Sequence, residues 1–436
     1  MLESISVNVL DNGLKIITCP KNDTPVISIQ VWYKTGSVNE YPGIYGISHI
    51  LEHMMFRGSK NVASEEHTRK INDIGGHCNA FTSEDVTSYL NSVPKQYLSM
   101  VLDLEADRME NLLPDENLFE TEKKVIIEEY HTYMNNPVAK AFLEFRTIFF
   151  NNNPYQISPL GTIENIKSIS SHDLKNYYEK WYSPNNAVIV IVGDFLQADQ
   201  IVDLVNNKFG HIKEKRNLNN NPQKNFRLEN KSNWMKRKVD FDVPILIMGF
   251  PSPASSSEDV LPMEILQMII SQGETSRFNR EIVRKQNLAV MAGGMNHTMK
   301  NAGMSILFSA FTPDIGYKKI EWAMNKQIAV IKDNGISQQE MEKVKNITLT
   351  NRTFELFTGE YICQRLGYSE IIDGDYKIWV KKLEALRNLD RDTLLAAAQK
   401  YWNNNNKHTL YLCPQKINPI LYIFGMLRRF FPKTKQ

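Results

Sequence analysis

At 436 residues the chain is long enough for about two or three domains, and its 42% apolar and 23% charged residues, with 21 Gly and 18 Pro, exclude collagenous, coiled-coil and wholly disordered classes. The 51 basic and 49 acidic residues leave a net charge of +2, which offers no electrostatic footprint for a nucleic-acid partner. Cys19, Cys78, Cys363 and Cys413 stand far apart without a CxxC pair, which argues against a thiolate metal cluster or a disulfide framework. No basic region followed by an apolar core opens the sequence, so the expectation is a cytoplasmic protein. A periplasmic or organellar one stays open should a targeting segment have been removed.

Residues 5–19 and 26–36 alternate apolar and polar positions around Asn22, Asp23, Thr24 and Pro25, and are predicted as a strand pair. From Tyr45 to Phe56 the apolar spacing turns helical, with Gly58 as the stop. A second helix is predicted over 64–74, a strand through 77–93, and helices over 95–112, 115–135 and 170–182. The apolar run 187–192 predicts a buried strand. Residues 213–237 are rich in Asn, Lys and Arg and read as a linker between a domain over 1–212 and one over 238–436.

After that stretch the order starts again. A strand at 238–250, helices at 261–270, 318–334 and 338–358, and a last strand at 409–413 repeat the first half. A period of roughly 215–220 residues far exceeds the about 20–50 of solenoid units and predicts a duplicated domain. Near the end, 417–431 (INPILYIFGMLRRFF) is too short in its uncharged part for the about 20 residues a bilayer span needs. It reads either as an element docked on the body or as an amphipathic tail whose Arg428 and Arg429 meet a membrane surface or a partner.

The residues that carry chemistry lie in the first half. His49, Glu52 and His53 fall within one predicted helix, where positions i and i+4 share a face and two imidazoles can reach one ion. Glu52 projects beside the pair and is placed to act on a metal-bound water without being a ligand. Catalytic zinc takes three protein ligands, and the 115–135 helix offers Glu122, Glu128 and Glu129. Glu122 and Glu129 are two turns apart on one face, while Glu128 is rotated away by about 100°. The second half has no such histidine pair. A nucleotide site at Gly43-Ile44-Tyr45-Gly46 fails, because no phosphate-loop lysine follows.

The string His49-Ile50-Leu51-Glu52-His53 resembles the inverted zinc signature of the pitrilysin-type metallopeptidases, the inverzincins. The likeness extends to the segment from Gly75-Gly76-His77 through Thr82 and on to Asp85, Thr87 and Tyr89. It also takes in Glu122 and Glu129, the latter 76 residues after His53. Pro159-Leu160-Gly161-Thr162, Tyr182-Ser183-Pro184-Asn185-Asn186-Ala187, Val192-Gly193-Asp194 and Ser276-Arg277-Phe278 fit as well. The resemblance implies an α+β chain of two tandem homologous α/β roll domains, each a mainly antiparallel sheet with helices packed on one face. Its length is that of the short branch, similar to the mitochondrial processing peptidase β subunit and bacterial zinc proteases.

The resemblance further implies one Zn2+ per chain on His49, His53 and Glu129, with Glu52 as general base on the zinc-bound water. It makes Glu122 an orienting carboxylate, and Asn79 and Ala80 part of a strand that pairs with substrate backbone. The implied activity is endopeptidase cleavage of extended polypeptides inside a dimeric chamber. The partner is either a second copy or a zinc-less homologue. A catalytically silent structural or regulatory subunit is the alternative. His77 and His131 read as ordinary histidines. One departure stands out: family members stabilise the oxyanion with an Arg–Tyr pair, yet residues 303–308 carry no Arg, Tyr317 lacks a partner, and Arg365 and Tyr368 sit in another segment.

Overall fold

The structure, a computed structural model, describes residues 4–113, 115–215, 226–229 and 231–430. In chain order the first elements are β1 (Ser6–Val9), β2 (Lys15–Pro20), β3 (Val26–Tyr33), α1 (Ile47–Met54), α2 (Glu66–Asp73), β4 (His77–Thr82) and β5 (Thr87–Pro94). There follow α3 (Leu98–Glu110), α4 (Glu116–Met134), α5 (Pro137–Phe149), α6 (Ile163–Ser168), α7 (Ser171–Trp181), β6 (Ala187–Gly193) and α8 (Ala198–Phe209). The next are β7 (Asn233–Val239), β8 (Ile245–Ser252), α9 (Val260–Ser271), β9 (Met291–Thr298), β10 (Gly303–Ala310), α10 (Tyr317–Asn334) and α11 (Gln338–Glu355). The last are α12 (Gly359–Tyr368), α13 (Lys377–Asn388), α14 (Arg391–Tyr401), β11 (His408–Pro414) and α15 (Pro419–Phe430).

Two sheets organise these elements, with strand orders β1-β2-β6-β3-β5-β4 and β7-β11-β8-β10-β9. Leaving β1 aside, the orders superpose strand for strand, β2 on β7, β6 on β11 and β4 on β9. The hydrogen-bond senses match too: β2 runs parallel to β6 and β7 to β11, while the neighbouring pairs are antiparallel. The architecture is thus α+β, with two homologous, mainly antiparallel sheets.

The pairing corrects one sequence expectation. Residues 5–19 contain two strands, β1 and β2, that pair with each other across a turn at Gly13. β3 does not pair with β2; β6 lies between them. Alternation places a residue on a face but says nothing of its neighbour, so a distant strand can insert without leaving a local trace. The predicted strand through 77–93 is likewise a hairpin of β4 and β5.

The compact units do not follow the contiguous halves 1–212 and 238–436. The first comprises Met1–Thr132, Ile157–Lys224 and Arg352–Lys381, and the second Tyr133–Gln156, Asn225–Asn351 and Lys382–Gln436. A helix on the reverse face of each sheet causes this interleaving. In the first unit α12 lays Ile362, Cys363 and Leu366 on Ile17, Cys19, Trp32 and Val190. In the second, α5 sets Phe145 where any side chain at Gly249 would stand, and Phe149 against His408. The layer expected on one face is the main one, formed by α1, α3, α7 and α8 around Ile29, Val31, Ile189 and Ile191 in the first unit.

β7 also begins inside the stretch expected as a linker. Only Met235 and Val239 of β7 are buried, as suits an edge strand, so its polar composition resembles a loop. Residues 216–225 and 230 of that stretch lie outside the described residues.

Candidate metal centre

Helix α1 supplies two histidines and a glutamate. Ile47, Ile50, Leu51 and Met54 are buried on one side, each worth about 1.5–3 kcal/mol, and this anchors the helix with His49, Glu52 and His53 on the other side. Its N-terminus is capped from a distance: the buried Glu40 carboxylate accepts the Gly46 amide at 2.7 Å and the Ser48 amide at 2.9 Å. Gly46 is left-handed, φ +99°, and touches Gly161, φ +67°. A Cβ on Gly161 would stand 2.4 Å from the Tyr45 carbonyl oxygen and 2.6 Å from the Gly46 backbone. The glycine at 161 is therefore required for the chain to pass over the start of α1.

The other acidic side chains come from α4, which buries Phe119, Glu122 and Ile126. Glu129 extends that face, and its Oε2 lies 3.7 Å from both His49 Nε2 and His53 Nε2. One ligand atom from each of His49, His53 and Glu129 falls within 4.8 Å of the others, the only such His/Cys/Asp/Glu grouping among the described residues. Glu128 is exposed on the adjacent face, and His77 and His131 are exposed as well.

Two imidazoles and a carboxylate make a donor set suited to zinc, and the protonation geometry fits it. His53 Nδ1 meets Glu122 Oε2 at 3.2 Å, so Nδ1–H donates to the carboxylate and Nε2 keeps its lone pair toward the cluster. Burial works against a proton on His53, but the Glu122 hydrogen bond and the Glu52, Glu122 and Glu129 carboxylates outweigh it and raise the pKa. Burial, with the His53 ring 4.7 Å away, pushes His49 down to about 4, leaving it neutral as a ligand must be. His49 Nδ1 is buried without a hydrogen-bond partner, so a carboxylate fixes the tautomer of His53 alone.

Glu52 stands beside the cluster. Burial raises its pKa, against the opposing pull of a 2.6 Å hydrogen bond from Thr82 Oγ1 and of His53. Behind His53, Arg57 Nη2 holds Glu122 Oε1 at 2.6 Å and also grips Glu65. Burial would raise the Glu122 pKa, yet bonding to His53 and Arg57 keeps it below the usual carboxylate range. Glu40, Thr82 and Arg57 carry these contacts, and sequence reasoning gave them no role. Arg57 lies in the turn three residues past the end of α1, where helical spacing does not point to it. The contacts of Glu40 and Thr82 exist only after folding.

The site opens into a cleft of about 940 Å3 lined by Glu52, His53, Phe56, Arg57, Asn79, Ala80 and Glu122, with α2 on its far side. β4 forms one wall. It pairs only with β5 and is the last strand of its sheet, so its outer edge is unpaired within the sheet. Asn79 Oδ1 accepts the Ala80 amide at 2.9 Å.

Arg365 and Tyr317, weighed above for an oxyanion-stabilising pair, make contacts of their own. Arg365 donates to Glu355 at 2.8 Å and to the Tyr361 hydroxyl at 3.0 Å, and Tyr317 stacks on Tyr411 at 4.8 Å. Arg277 in the second unit forms a two-pronged pair with Glu340, both contacts at 2.9 Å.

Two homologous sheets, the first carrying a His-His-Glu cluster with an adjacent glutamate, define the class of two-domain metallopeptidase-type folds. The chain belongs to peptidase family M16, the pitrilysin-type family. Residues 15–163 match the profile described as insulinase (peptidase family M16), and 168–348 the peptidase M16 inactive domain. The chain is 25% identical to the zinc protease PqqE of Helicobacter pylori over 93% of this chain and 92% of that protein. It is 27% identical to the uncharacterized zinc protease YmxG of Bacillus subtilis over 88% and 93%. A probable mitochondrial-processing peptidase subunit beta of Arabidopsis thaliana is 30% identical, over 47% of this chain and 38% of that one. In fold, a protease from Helicobacter pylori superposes with a TM-score of 0.88 at 24% identity, covering 94% of this chain and 99% of that one. The first half of the periplasmic protease PqqL from Escherichia coli gives 0.78 at 18% identity, covering 99% and 98%. These relatives support a protease. Among the described residues no helix is long and apolar enough to cross a membrane.

Proposed function

We propose that the chain is a zinc endopeptidase that hydrolyses extended or unstructured polypeptides. The observation that carries this reading is the convergence of His49, His53 and Glu129 beside a glutamate held in place by Thr82. His49 and His53 through Nε2, and Glu129 through a carboxylate oxygen, would hold one zinc ion. Zinc bound there supplies Lewis-acid polarisation of the scissile carbonyl and acidifies water. Glu52 takes the proton of the attacking water and delivers it to the leaving amine, and burial brings its pKa up toward that task. Thr82 fixes which oxygen of Glu52 faces the water. Glu122 is a positioning residue that sets the His53 ring.

The unpaired edge of β4, with Asn79 and Ala80, offers backbone groups to an extended substrate, which demands little of its sequence. Arg365 is held by Glu355 and Tyr361, which supports an oxyanion-stabilising pair donated by a second chain, either another copy or a zinc-less homologue, closing a dimeric chamber. The same observation favours a second reading, a catalytically silent structural or regulatory subunit. Zinc analysis combined with cleavage of an unstructured peptide separates the two. The enzyme reading expects one zinc per chain and hydrolysis that chelation abolishes and zinc restores. A chain that takes up no zinc after add-back is the silent subunit.

A further inference from the structure

An amphipathic helix on a protein surface ordinarily turns its apolar stripe inward. Helix α15 does the reverse. Leu421, Gly425 and Arg428, spaced i, i+4 and i+7, form its docked side. Gly425 is buried so closely that a Cβ would meet Asp314 and Thr312. The contacts that seat the helix are polar. Asn418 Nδ2 donates to Asp242 at 3.3 Å, Asn287 Nδ2 donates to the Arg428 carbonyl at 2.6 Å, and Arg428 Nη1 donates to the Ala289 carbonyl at 3.2 Å. Beside that docked side Ile420, Ile423, Phe424 and Leu427 are 77%, 55%, 54% and 51% exposed. Their i, i+3, i+4, i+7 spacing makes one continuous apolar stripe facing water.

Charge identifies what covers the stripe. From Gln415 to Gln436 the sequence carries Lys416, Arg429, Lys433 and Lys435 in addition to the docked Arg428, and no acidic residue. A second copy on the same face would bring two such sets of like charges together. An anionic lipid surface complements both the charge and the apolar stripe. The 12 residues of α15 are too few to cross the bilayer, so the helix would lie in the interface plane. We propose that α15 is a membrane-surface docking helix, which inserts Ile420, Ile423, Phe424 and Leu427 among the acyl chains of an anionic bilayer and holds the protease at that surface.

The test is flotation of the full chain with vesicles of phosphatidylcholine alone and with about 30% phosphatidylglycerol, at low and high salt. The expected result is flotation with the anionic vesicles only, weakened by salt. Ile423→Asp combined with Phe424→Asp should lower it at least about tenfold. Lys433→Glu combined with Lys435→Glu, which leaves the apolar residues of the stripe unchanged, should lower it by a comparable factor. Hydrolysis of a short soluble peptide should be unchanged in both variants, so docking and catalysis fail separately. No flotation, equal flotation with neutral vesicles, or full flotation of the Ile423/Phe424 variant would overturn the proposal. So would a wild-type dimer in lipid-free buffer that the same variant converts to monomer, because a second copy would then own the face.

Discussion

His53 and Glu122 meet across two helices, Nδ1 to Oε2 at 3.2 Å, and Arg57 closes the other side of the same carboxylate at 2.6 Å. The imidazole thereby keeps one tautomer and one ring orientation before any metal arrives. Removing the charge should therefore loosen the metal rather than abolish its site. Glu122→Gln is expected to weaken zinc binding by about 10–100-fold, read by competition with a chromogenic chelator. Unchanged affinity would mean that His53 is oriented by something else.

Glu40 makes a related prediction about helix α1. Its buried carboxylate satisfies the Gly46 and Ser48 amides, and with it gone both lose a charged acceptor. Glu40→Ala should cost about 2 kcal/mol, a fall of about 4–8 °C in Tm, while Glu40→Gln should cost less because one acceptor remains. Thermal unfolding of the two variants side by side checks this, and equal Tm values for wild type and Glu40→Ala would contradict it.

Gly161→Ala tests the close passage over the same helix end. The added methyl has no room beside the Tyr45 carbonyl and Gly46, and its φ of +67° disfavours alanine. Denaturant unfolding should show a loss of about 1–3 kcal/mol. A neutral substitution would show that the two loops can part freely.

The Arg277–Glu340 pair yields a pH dependence. Burial alone would raise Glu340, but bonding to Arg277 and to the Ser337 amide brings it down to about 2. A carboxylate depressed in the folded state stabilises above its ordinary pKa of about 4.3, and that contribution fades as pH falls toward 2. Wild type should exceed Glu340→Gln in unfolding free energy by up to about 3 kcal/mol near neutrality, with the gap closing between about pH 5 and 2. Parallel pH curves for the two would rule the account out.

These contacts also mark how far the sequence could be read. The HxxEH spacing places His49, Glu52 and His53 on one helical face, because side-chain direction on a helix follows from its pitch. The seven-residue step from Glu122 to Glu129 works the same way on α4. The repeat of strands and helices in the two halves was legible because each copy must bury the same kind of face. Pairing partners were not legible. β6 inserts between β2 and β3 from more than 150 positions beyond β3 in the chain, and alternation has no memory of that distance. The swapped helices α5 and α12 were missed for a similar reason, since their burial depends on a sheet remote in the chain. Thr82 and Glu40 act only through folded contacts, so no local pattern marks their roles.

In the proposed mechanism Glu52 moves the proton while His49, His53 and Glu129 hold zinc. Substituting Glu52→Gln and measuring bound zinc and peptide hydrolysis on the same preparation tests it most directly. Zinc content should equal that of the wild type while hydrolysis falls at least about 100-fold. A Glu52→Gln protein that retains full activity would contradict it.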